Sequence, residues 1–278
     1  MSLGSLADGG RARSNVPTGS GSGVRVPVVE PDEPGPSAWF ARGGRHPIAA
    51  FAWAAVAGYA LLAAGITALG LLLTRVLLDL GDVASADEYL PDRLAANRTP
   101  DLTSASHVGS LVGDIPVLPG LVILVVVAAL LLRRFRVGAF VATAALMEVT
   151  LYRVGTLAAP RERPDVPRLD THLPMDESFP SGHVAASTAV YGGIALLIAS
   201  RYSDRPWVVR TVWAVAVAAV AVVLVSRLYR GMHHPLDTLA GLLLGVGCIV
   251  AALVAVRAYG HAERHRHTRT RTRTEEPV

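Results

Sequence analysis

The sequence contains no lysine and only one cysteine, and both absences limit the kinds of site that it can build. All 26 basic residues are arginine, so any fixed positive charge has to come from guanidinium groups. Because Cys248 is the lone cysteine, the chain has no disulfide framework and no thiolate metal site. We interpret the bias towards Arg, Ala, Gly and Val as the product of a GC-rich bacterial genome.

Hydrophobic residues make up 51% of the 278 residues, and they are collected into long blocks. Blocks of about 18 or more apolar residues are typical of membrane-spanning helices. The pattern therefore predicts an all-α fold, a polytopic bundle of six transmembrane helices. We place the six spans at roughly 48–75, 116–132, 137–158, 183–200, 207–225 and 235–257.

The segments outside the spans differ from them in composition. Residues 1–46 are rich in Gly, Ser and Pro and lack apolar periodicity, so we expect a disordered tail. Residues 47–258 form the predicted six-helix membrane domain, and residues 259–278 form a basic, solvated tail. We expect no secretory signal peptide, because the first apolar block starts late and is too long for one.

The positions of the arginines predict the orientation in the membrane. If six helices alternate, four arginine-bearing segments fall on one side, which the positive-inside rule makes cytoplasmic. They lie near Arg42, Arg133, Arg205 and Arg257. We therefore expect a plasma-membrane protein with both termini in the cytoplasm. The outer face then carries the acidic loop 76–115, interpreted as either a lid or plain surface, and the segments 159–182 and 226–234.

The segment Pro180-Ser181-Gly182-His183 stands where the fourth helix is expected to begin. A helix start leaves backbone N–H groups unpaired and carries partial positive charge, so it suits an anion. Ser181 fits the N-cap, and Gly182 allows a ligand to approach the backbone closely. We interpret His183 as aimed at that anion. The alternative is an ordinary capped helix start with an interfacial histidine.

The segment from Ser226-Arg227 through His233 to Asp237 joins the fifth and sixth helices. Pro235 fits the first turn of a helix, which would bring Asp237 close to the His233 ring. A carboxylate bonded to one imidazole nitrogen fixes the tautomer and makes the histidine an oriented nucleophile or base. The Arg227 guanidinium matches phosphate oxygens. The alternative places these residues at the level of the lipid headgroups.

A third segment, Arg161-Glu162-Arg163-Pro164, follows the third helix and alone is typical of a headgroup anchor. Together the three segments supply a nucleophile, an acid and fixed positive charge, which phosphoryl transfer requires. The sequence has no carboxylate cluster for Mg²⁺ and no His/Cys set at zinc spacing. It therefore predicts a phosphatase that uses neither a metal nor another cofactor.

These residues resemble the membrane lipid phosphatase branch of the type 2 phosphatidic acid phosphatase superfamily, which is related to the vanadium haloperoxidases. The family pattern is Lys-x6-Arg-Pro, Pro-Ser-Gly-His and Ser-Arg-x5-His-x3-Asp. The last two motifs are complete, but in the first Thr156 stands at the lysine position before Arg163-Pro164. The resemblance implies that His233 forms a phosphohistidine and Asp237 orients it, while His183 protonates the leaving oxygen. It also implies four phosphate-binding residues: Arg163, Ser181, Gly182 and Arg227.

The resemblance implies hydrolysis of a lipid phosphate or polyprenyl pyrophosphate at the outer face, with water as acceptor. From the spacing we form the hypothesis that Arg153 or Arg161 replaces the lysine missing at Thr156. Two alternatives stay open, a lipid phosphotransferase with the same site and a catalytically weakened relative that binds or moves anionic lipids. The expected partners are the amphiphilic substrate and membrane lipids, with no nucleic acid. The sequence fixes neither the lipid nor the oligomeric state.

Overall fold

The computed structural model describes residues 26–31, 35–114, 116–170 and 177–275, with side chains described up to residue 268. Within these ranges the chain forms helices and no β-strand. In chain order the α-helices are α1 (Pro36–Phe40), α2 (Pro47–Leu72), α3 (Gly81–Ala96), α4 (Pro100–Val112), α5 (Val117–Leu131), α6 (Phe135–Ala158), α7 (Gly182–Ser187), α8 (Gly193–Arg201), α9 (Pro206–Tyr229) and α10 (Pro235–Glu275). Shorter helical turns are 3-10 at Pro27–Val29 and Arg42–Gly44, and π at Leu73–Leu77 and Thr188–Gly192.

Six helical segments in the described part of the chain are long and apolar enough to cross a membrane. The predicted all-α bundle with six spans is therefore confirmed. In the fourth span, α7 and α8 are joined by the π turn into one continuous segment. The six segments are Pro47–Leu77, Pro100–Leu131, Phe135–Ala158, Gly182–Arg201, Pro206–Tyr229 and Pro235–Thr268.

The two tails are more structured than the sequence predicts, where the structure describes them. Val26 and Val29 are buried in a hydrophobic cluster with residues of α6 and α10, and α1 packs against α10. Apolar side chains in the Pro-rich segment therefore extend the core. At the other end α10 continues to Glu275, because no Gly or Pro follows Gly260 until Pro277. The predictions for residues 1–25, 32–34 and 276–278 lie outside the described residues.

The acidic segment predicted as loop 76–115 contains two helices, α3 and α4. The start of α4 follows local rules, because Pro100 occupies the first turn and the Thr99 hydroxyl accepts the Leu102 N–H at 3.2 Å. Both helices contact α9. The sequence does not predict these two helices, because their amphipathic pattern is weak. In the fold they are stabilised by packing against the bundle.

Helix α10 is the central element and fixes the position of α7. A Cβ atom built on Gly241 would collide with the Ser181 carbonyl oxygen, and one on Gly245 would lie 2.5 Å from the Ala185 carbonyl oxygen. The two backbones therefore approach as closely as glycine permits. The Ser181 N–H also donates to the Asp237 carbonyl at 3.0 Å. The first turns of α7 and α10 thus meet at one end of the bundle.

Candidate active site

The predicted site residues meet where α6 and α9 end and where α7 and α10 begin. His233 lies at their centre, in the turn between α9 and α10. Its charge interactions reach Arg163, His183, Arg227 and Asp237. Residues that are up to 74 positions apart in the sequence numbering, from 163 to 237, are thus brought to one place. The structure joins all three sequence segments in a single site.

The His233 ring is held by a backbone carbonyl. Its Nδ1 lies 2.7 Å from the Ser178 carbonyl oxygen, and the residue is buried. A carbonyl oxygen only accepts hydrogen bonds, so Nδ1 carries the proton and Nε2 keeps its lone pair. Burial, followed by the charges of Arg227 and Arg163, holds the pKa of His233 well below its usual value. The imidazole is therefore neutral near pH 7, as a nucleophile requires.

Asp237 acts on His233 less directly than its spacing predicts. Its carboxylate accepts hydrogen bonds from the His234 N–H at 2.9 Å and from the Ser178 hydroxyl, and it lies 3.1 Å from His234 Nδ1. Among the described residues no hydrogen bond joins Asp237 to His233. The predicted contact between Asp237 and the His233 ring is therefore wrong as a direct hydrogen bond. The reason is that α10 begins at Pro235, which leaves His233 outside the helix. Asp237 is linked to His233 through Ser178, whose hydroxyl contacts Asp237 and whose carbonyl contacts His233.

Arg161 holds the Asp237 carboxylate. Its Nη1 donates to Asp237 Oδ1 and its Nη2 to Asp87 Oδ2 on α3, both at 2.6 Å. With both Nη atoms on buried carboxylates, Arg161 supports Asp237. The hypothesis that it replaces the missing lysine gains no support from this geometry. Thr156 itself is buried, and its hydroxyl donates to the Tyr152 carbonyl at 3.0 Å, while Arg153 is exposed.

Glu88, the neighbour of Asp87 on α3, contacts two loops of the site, the turn before α10 and the segment after Pro164. One carboxylate oxygen lies 2.8 Å from His234 Nε2, and the other accepts the Asp165 N–H at 3.0 Å. His234 thereby sits between Glu88 and Asp237. The imidazole joins two carboxylates from different elements, so α3 is attached to the turn that carries His233.

Arg227 is almost fully buried, and one edge of its guanidinium is already bound. Nη1 donates to Asp170 Oδ2 at 2.7 Å and to the Ser110 hydroxyl at 2.9 Å. Its buried Nε and Nη2 have no hydrogen-bond partner within the described residues, and the same holds for the buried Ser181 hydroxyl. Buried donors without partners are rare in folded proteins. Their presence beside His233 indicates a site for an anion.

Asp170 bridges Arg227 and a second buried arginine, Arg230. The Arg230 Nη2 lies 2.5 Å from Asp170 Oδ1, and the Arg230 Nη1 donates to the Ser106 hydroxyl at 3.2 Å. Burial opposes ionisation of Asp170, but hydrogen bonds and charges from Arg230 and Arg227 outweigh it and hold its pKa below the usual value. The ionised Asp170 fixes the side of Arg227 that faces away from the unpaired donors.

His183 and Ser181 start α7, as the sequence predicts. Ser181 is the N-cap residue, but its hydroxyl makes no capping bond and has no hydrogen-bond partner among the described residues. A Cβ atom on Gly182 would lie 3.0 Å from the Tyr152 ring, so glycine permits the helix start to pack on α6. His183 Nε2 lies 3.7 Å from Asp114 Oδ1.

The remaining motif arginine and the turn glycine shape the loop around His233. Arg163 Nη1 donates to the Met232 carbonyl, which anchors the first motif to the third. Gly231 has φ +68°, and a Cβ atom there would lie 2.7 Å from Val166 Cγ2. Only glycine combines that backbone angle with this close approach. The turn before His233 is therefore fixed by both backbone conformation and packing.

Sequence reasoning missed the residues that support the catalytic candidates. They share no motif, and several come from helices that the sequence does not reveal. In a membrane protein, acidic and hydroxyl groups that face the bundle give a signal, because they need partners there, but the signal does not name the partner. The missed residues are Asp87, Glu88, Ser106, Ser110, Asp114, Asp170, Ser178 and Arg230.

Comparison with known proteins finds relatives of the region that contains this site. The model of the PAP2 superfamily matches residues 137–260, which include every motif residue named above. This region of the chain is therefore similar to the PAP2 superfamily. A solved structure, the first transmembrane PAP2-type phosphatidylglycerolphosphate phosphatase from Bacillus subtilis, has the same fold, with a TM-score of 0.57 and 24% identity. The match covers 71% of this chain and 92% of that one. Six apolar helices and this match identify a multi-pass membrane protein.

Two curated relatives are more similar in sequence over shorter stretches. A bacitracin transport permease protein of Bacillus licheniformis is 39% identical over 83 residues, which cover 30% of this chain and 35% of the relative. An undecaprenyl-diphosphatase of Sulfolobus acidocaldarius is 38% identical over 72 residues, covering 26% and 30%. The matches thus span about a third of the length of either relative. They indicate a shared region and no match over the whole length of either relative.

Proposed function

We propose that this protein is a membrane phosphatase that hydrolyses a lipid phosphate or a polyprenyl pyrophosphate through a phosphohistidine intermediate. The observation that carries the proposal is the group of buried, unpartnered donors on Arg227 and Ser181 beside a histidine with a fixed tautomer. A phosphoryl group provides acceptors for these donors. The similarity to the PAP2 superfamily and the undecaprenyl-diphosphatase relative support the same reaction class.

In the first step, His233 Nε2 attacks phosphorus and the bond from phosphorus to the lipid oxygen breaks. His183 gives its proton to that oxygen, and Arg163, Arg227, Ser181 and the Gly182 N–H stabilise the charge on the other oxygens. In the second step, His183 takes a proton from water, and the hydroxide attacks the phosphohistidine. The nitrogen–phosphorus bond breaks, which releases phosphate and restores both histidines.

The membrane setting supports an amphiphilic substrate that reaches the site from the lipid. The site lies at the ends of apolar helices, so an amphiphilic substrate keeps its chains in lipid while its phosphate reaches His233. The arginine-rich segments lie at the other ends of the helices, and the positive-inside rule assigns those ends to the cytoplasm. We infer that the site faces outward and takes its substrate from the outer leaflet.

A second candidate function is a relative with weak catalysis that binds or moves anionic lipids. Thr156 at the family's lysine position favours it, and so does the similarity to a protein named as a transport permease. The ordered tautomer of His233 favours the enzyme, because a lipid carrier needs no oriented nucleophile. A measurement of phosphate release that depends on His233 separates the two candidate functions.

The test is release of phosphate from a panel of lipid phosphates and polyprenyl pyrophosphates by purified protein with EDTA present. We expect release by the wild type and by His107→Ala, which alters an exposed histidine of α4. His233→Ala should release no phosphate. Acid-free quenching of the wild type should trap an acid-labile, base-stable phosphoprotein, which His233→Ala should not form. Absence of His233-dependent release from every substrate would support the lipid-binding candidate and refute the enzyme.

A further inference from the structure

A cavity of about 900 Å³ lies at the opposite end of the molecule from the candidate active site. It is enclosed by the segment 26–30, the start of α2, the turn between α5 and α6, and the last part of α10. Val256 in its wall and Asp237 in the active site share α10. At a rise of 1.5 Å per residue they are about 28 Å apart. The cavity is therefore separate from the phosphate site.

The wall of the cavity combines apolar side chains with arginines. One arginine, Arg136, is satisfied internally, because it pairs with Glu30 and, at 2.5 Å, with Glu263. Two others, Arg133 and Arg134, have no hydrogen-bond or ion-pair partner for their guanidinium groups among the described residues. The apolar part of the wall includes Ile48, Phe51, Leu132, Phe135, Val137 and Val256. The cavity thus offers two unpaired positive charges next to an apolar surface.

Arg133 occupies a position where glycine is the usual residue. Its N–H donates to the Leu130 carbonyl at 2.9 Å, and the Arg134 N–H donates to the Ala129 carbonyl at 2.7 Å. This pair of bonds closes a helix through one left-handed residue, which is most often glycine. Arg133 takes that role with φ 54°, a strained angle for a residue with a Cβ atom. The backbone angle at position 133 therefore favours glycine. The arginine found there adds a guanidinium group to the wall of the cavity.

We propose that this cavity binds one acidic phospholipid, with its phosphate on Arg133 and Arg134 and its acyl chains on the apolar wall. Guanidinium groups bind phosphate oxygens with two hydrogen bonds, which an exposed ammonium group does not match. Basic pockets between transmembrane helices suit anionic headgroups. A soluble anion would leave the apolar wall uncovered, and a neutral lipid would leave the two arginines without a counter-charge.

The test uses the full-length protein in nanodiscs that contain equal amounts of phosphatidylglycerol and phosphatidylcholine. After release from the nanodiscs, native mass spectrometry counts the lipids that stay bound. We expect the wild type to retain one phosphatidylglycerol. The double variant Arg133→Gly/Arg134→Gln should retain it on the order of tenfold less. A photoactivatable phosphatidylglycerol should label the wild type at 132–137 or 48–51.

Two controls separate lipid binding from general charge and from folding. Arg205→Gln/Arg210→Gln removes the same charge from exposed arginines that do not line the cavity, and it should retain phosphatidylglycerol like the wild type. Arg133→Gly alone should not lower the melting temperature in detergent, because glycine suits the left-handed turn. Unchanged retention in the Arg133→Gly/Arg134→Gln variant would overturn the proposal. So would an equal loss in the control pair.

Discussion

Replacing Arg161 by alanine removes the group that joins Asp237 to Asp87, and its effect on stability follows from the geometry. Both N···O distances are 2.6 Å, and the side chains of Arg161, Asp87 and Asp237 are 8%, 2% and 0% exposed. Breaking a buried ion pair by removing one partner costs about 3–5 kcal/mol, because the other charge stays buried without compensation. Arg161→Ala leaves two such carboxylates. We therefore expect a loss in the upper half of that range.

Unfolding in mixed micelles, followed by tryptophan fluorescence, measures the free energy of unfolding of each variant. The control is Arg210→Ala, which removes an exposed arginine of α9 and should change stability by less than about 0.5 kcal/mol. Asp87→Asn completes a double-mutant cycle. Since Asp87→Asn removes one of the carboxylates that Arg161 compensates, the double variant should be more stable than the two single losses predict, by about 0.5–3 kcal/mol.

The same variants decide between two roles for Arg161. If it supports Asp237, Arg161→Ala lowers stability and kcat while the affinity for inorganic phosphate, measured as competitive inhibition, stays close to that of the wild type. If Arg161 binds phosphate in place of the lysine missing at Thr156, stability is unchanged and phosphate inhibition weakens by a factor on the order of a hundred. The second result would refute the assignment of Arg161 to Asp237.

Three further predictions concern the anion site and its nucleophile. Ser181→Ala should not reduce the melting temperature, because the hydroxyl has no partner, but kcat/KM should fall by a factor on the order of ten to a hundred; a stability loss with full activity would contradict this. Asp170→Asn should lower the melting temperature, and inorganic phosphate should raise it more than in the wild type, because the buried Arg227 has lost its carboxylate; an equal phosphate effect in both would contradict this. Burial and the charges of Arg227 and Arg163 hold the pKa of His233 below its usual value, so the neutral nucleophile persists as the pH falls. The acidic limb of kcat/KM assigned to His233 should therefore lie at lower pH than the limb of an ordinary histidine, and a limb at or above the ordinary histidine position would contradict this.

The sequence predicts the membrane spans well because their signal is local. A block of apolar residues of sufficient length has to be helical in lipid, whatever surrounds it, since its backbone groups find partners only within a helix. The spans beginning at Pro47 and Pro206 show this directly. The motif residues can be recognised in the sequence for a related reason, because three short patterns in a fixed order identify them. The fold places residues of all three patterns near His233, and their roles stay a prediction.

The partner of Asp237 shows where sequence reasoning stops. The spacing of four residues from His233 predicts a contact only if both residues lie on one helix. Because α10 begins at Pro235, His233 lies in the preceding turn, and its ring points to the Ser178 carbonyl. Nothing in the local sequence identifies Ser178 as that acceptor. The position of one helix boundary decides which hydrogen-bond partners His233 and Asp237 have. Sequence patterns define such a boundary only to within a few residues.

The match to the PAP2 superfamily covers residues 137–260, but part of the framework of the site lies before it. Asp87 and Ser110 belong to α3 and α4, and each accepts a hydrogen bond from a buried arginine of the matched region, Arg161 or Arg227. Without these acceptors, guanidinium groups would be buried with fewer partners, which is strongly unfavourable in a medium of low dielectric constant. The segment predicted as loop 76–115 is therefore part of the framework that holds the two arginines in place. The residues proposed to react and several of those that hold them come from different parts of the chain, and only the fold brings them together.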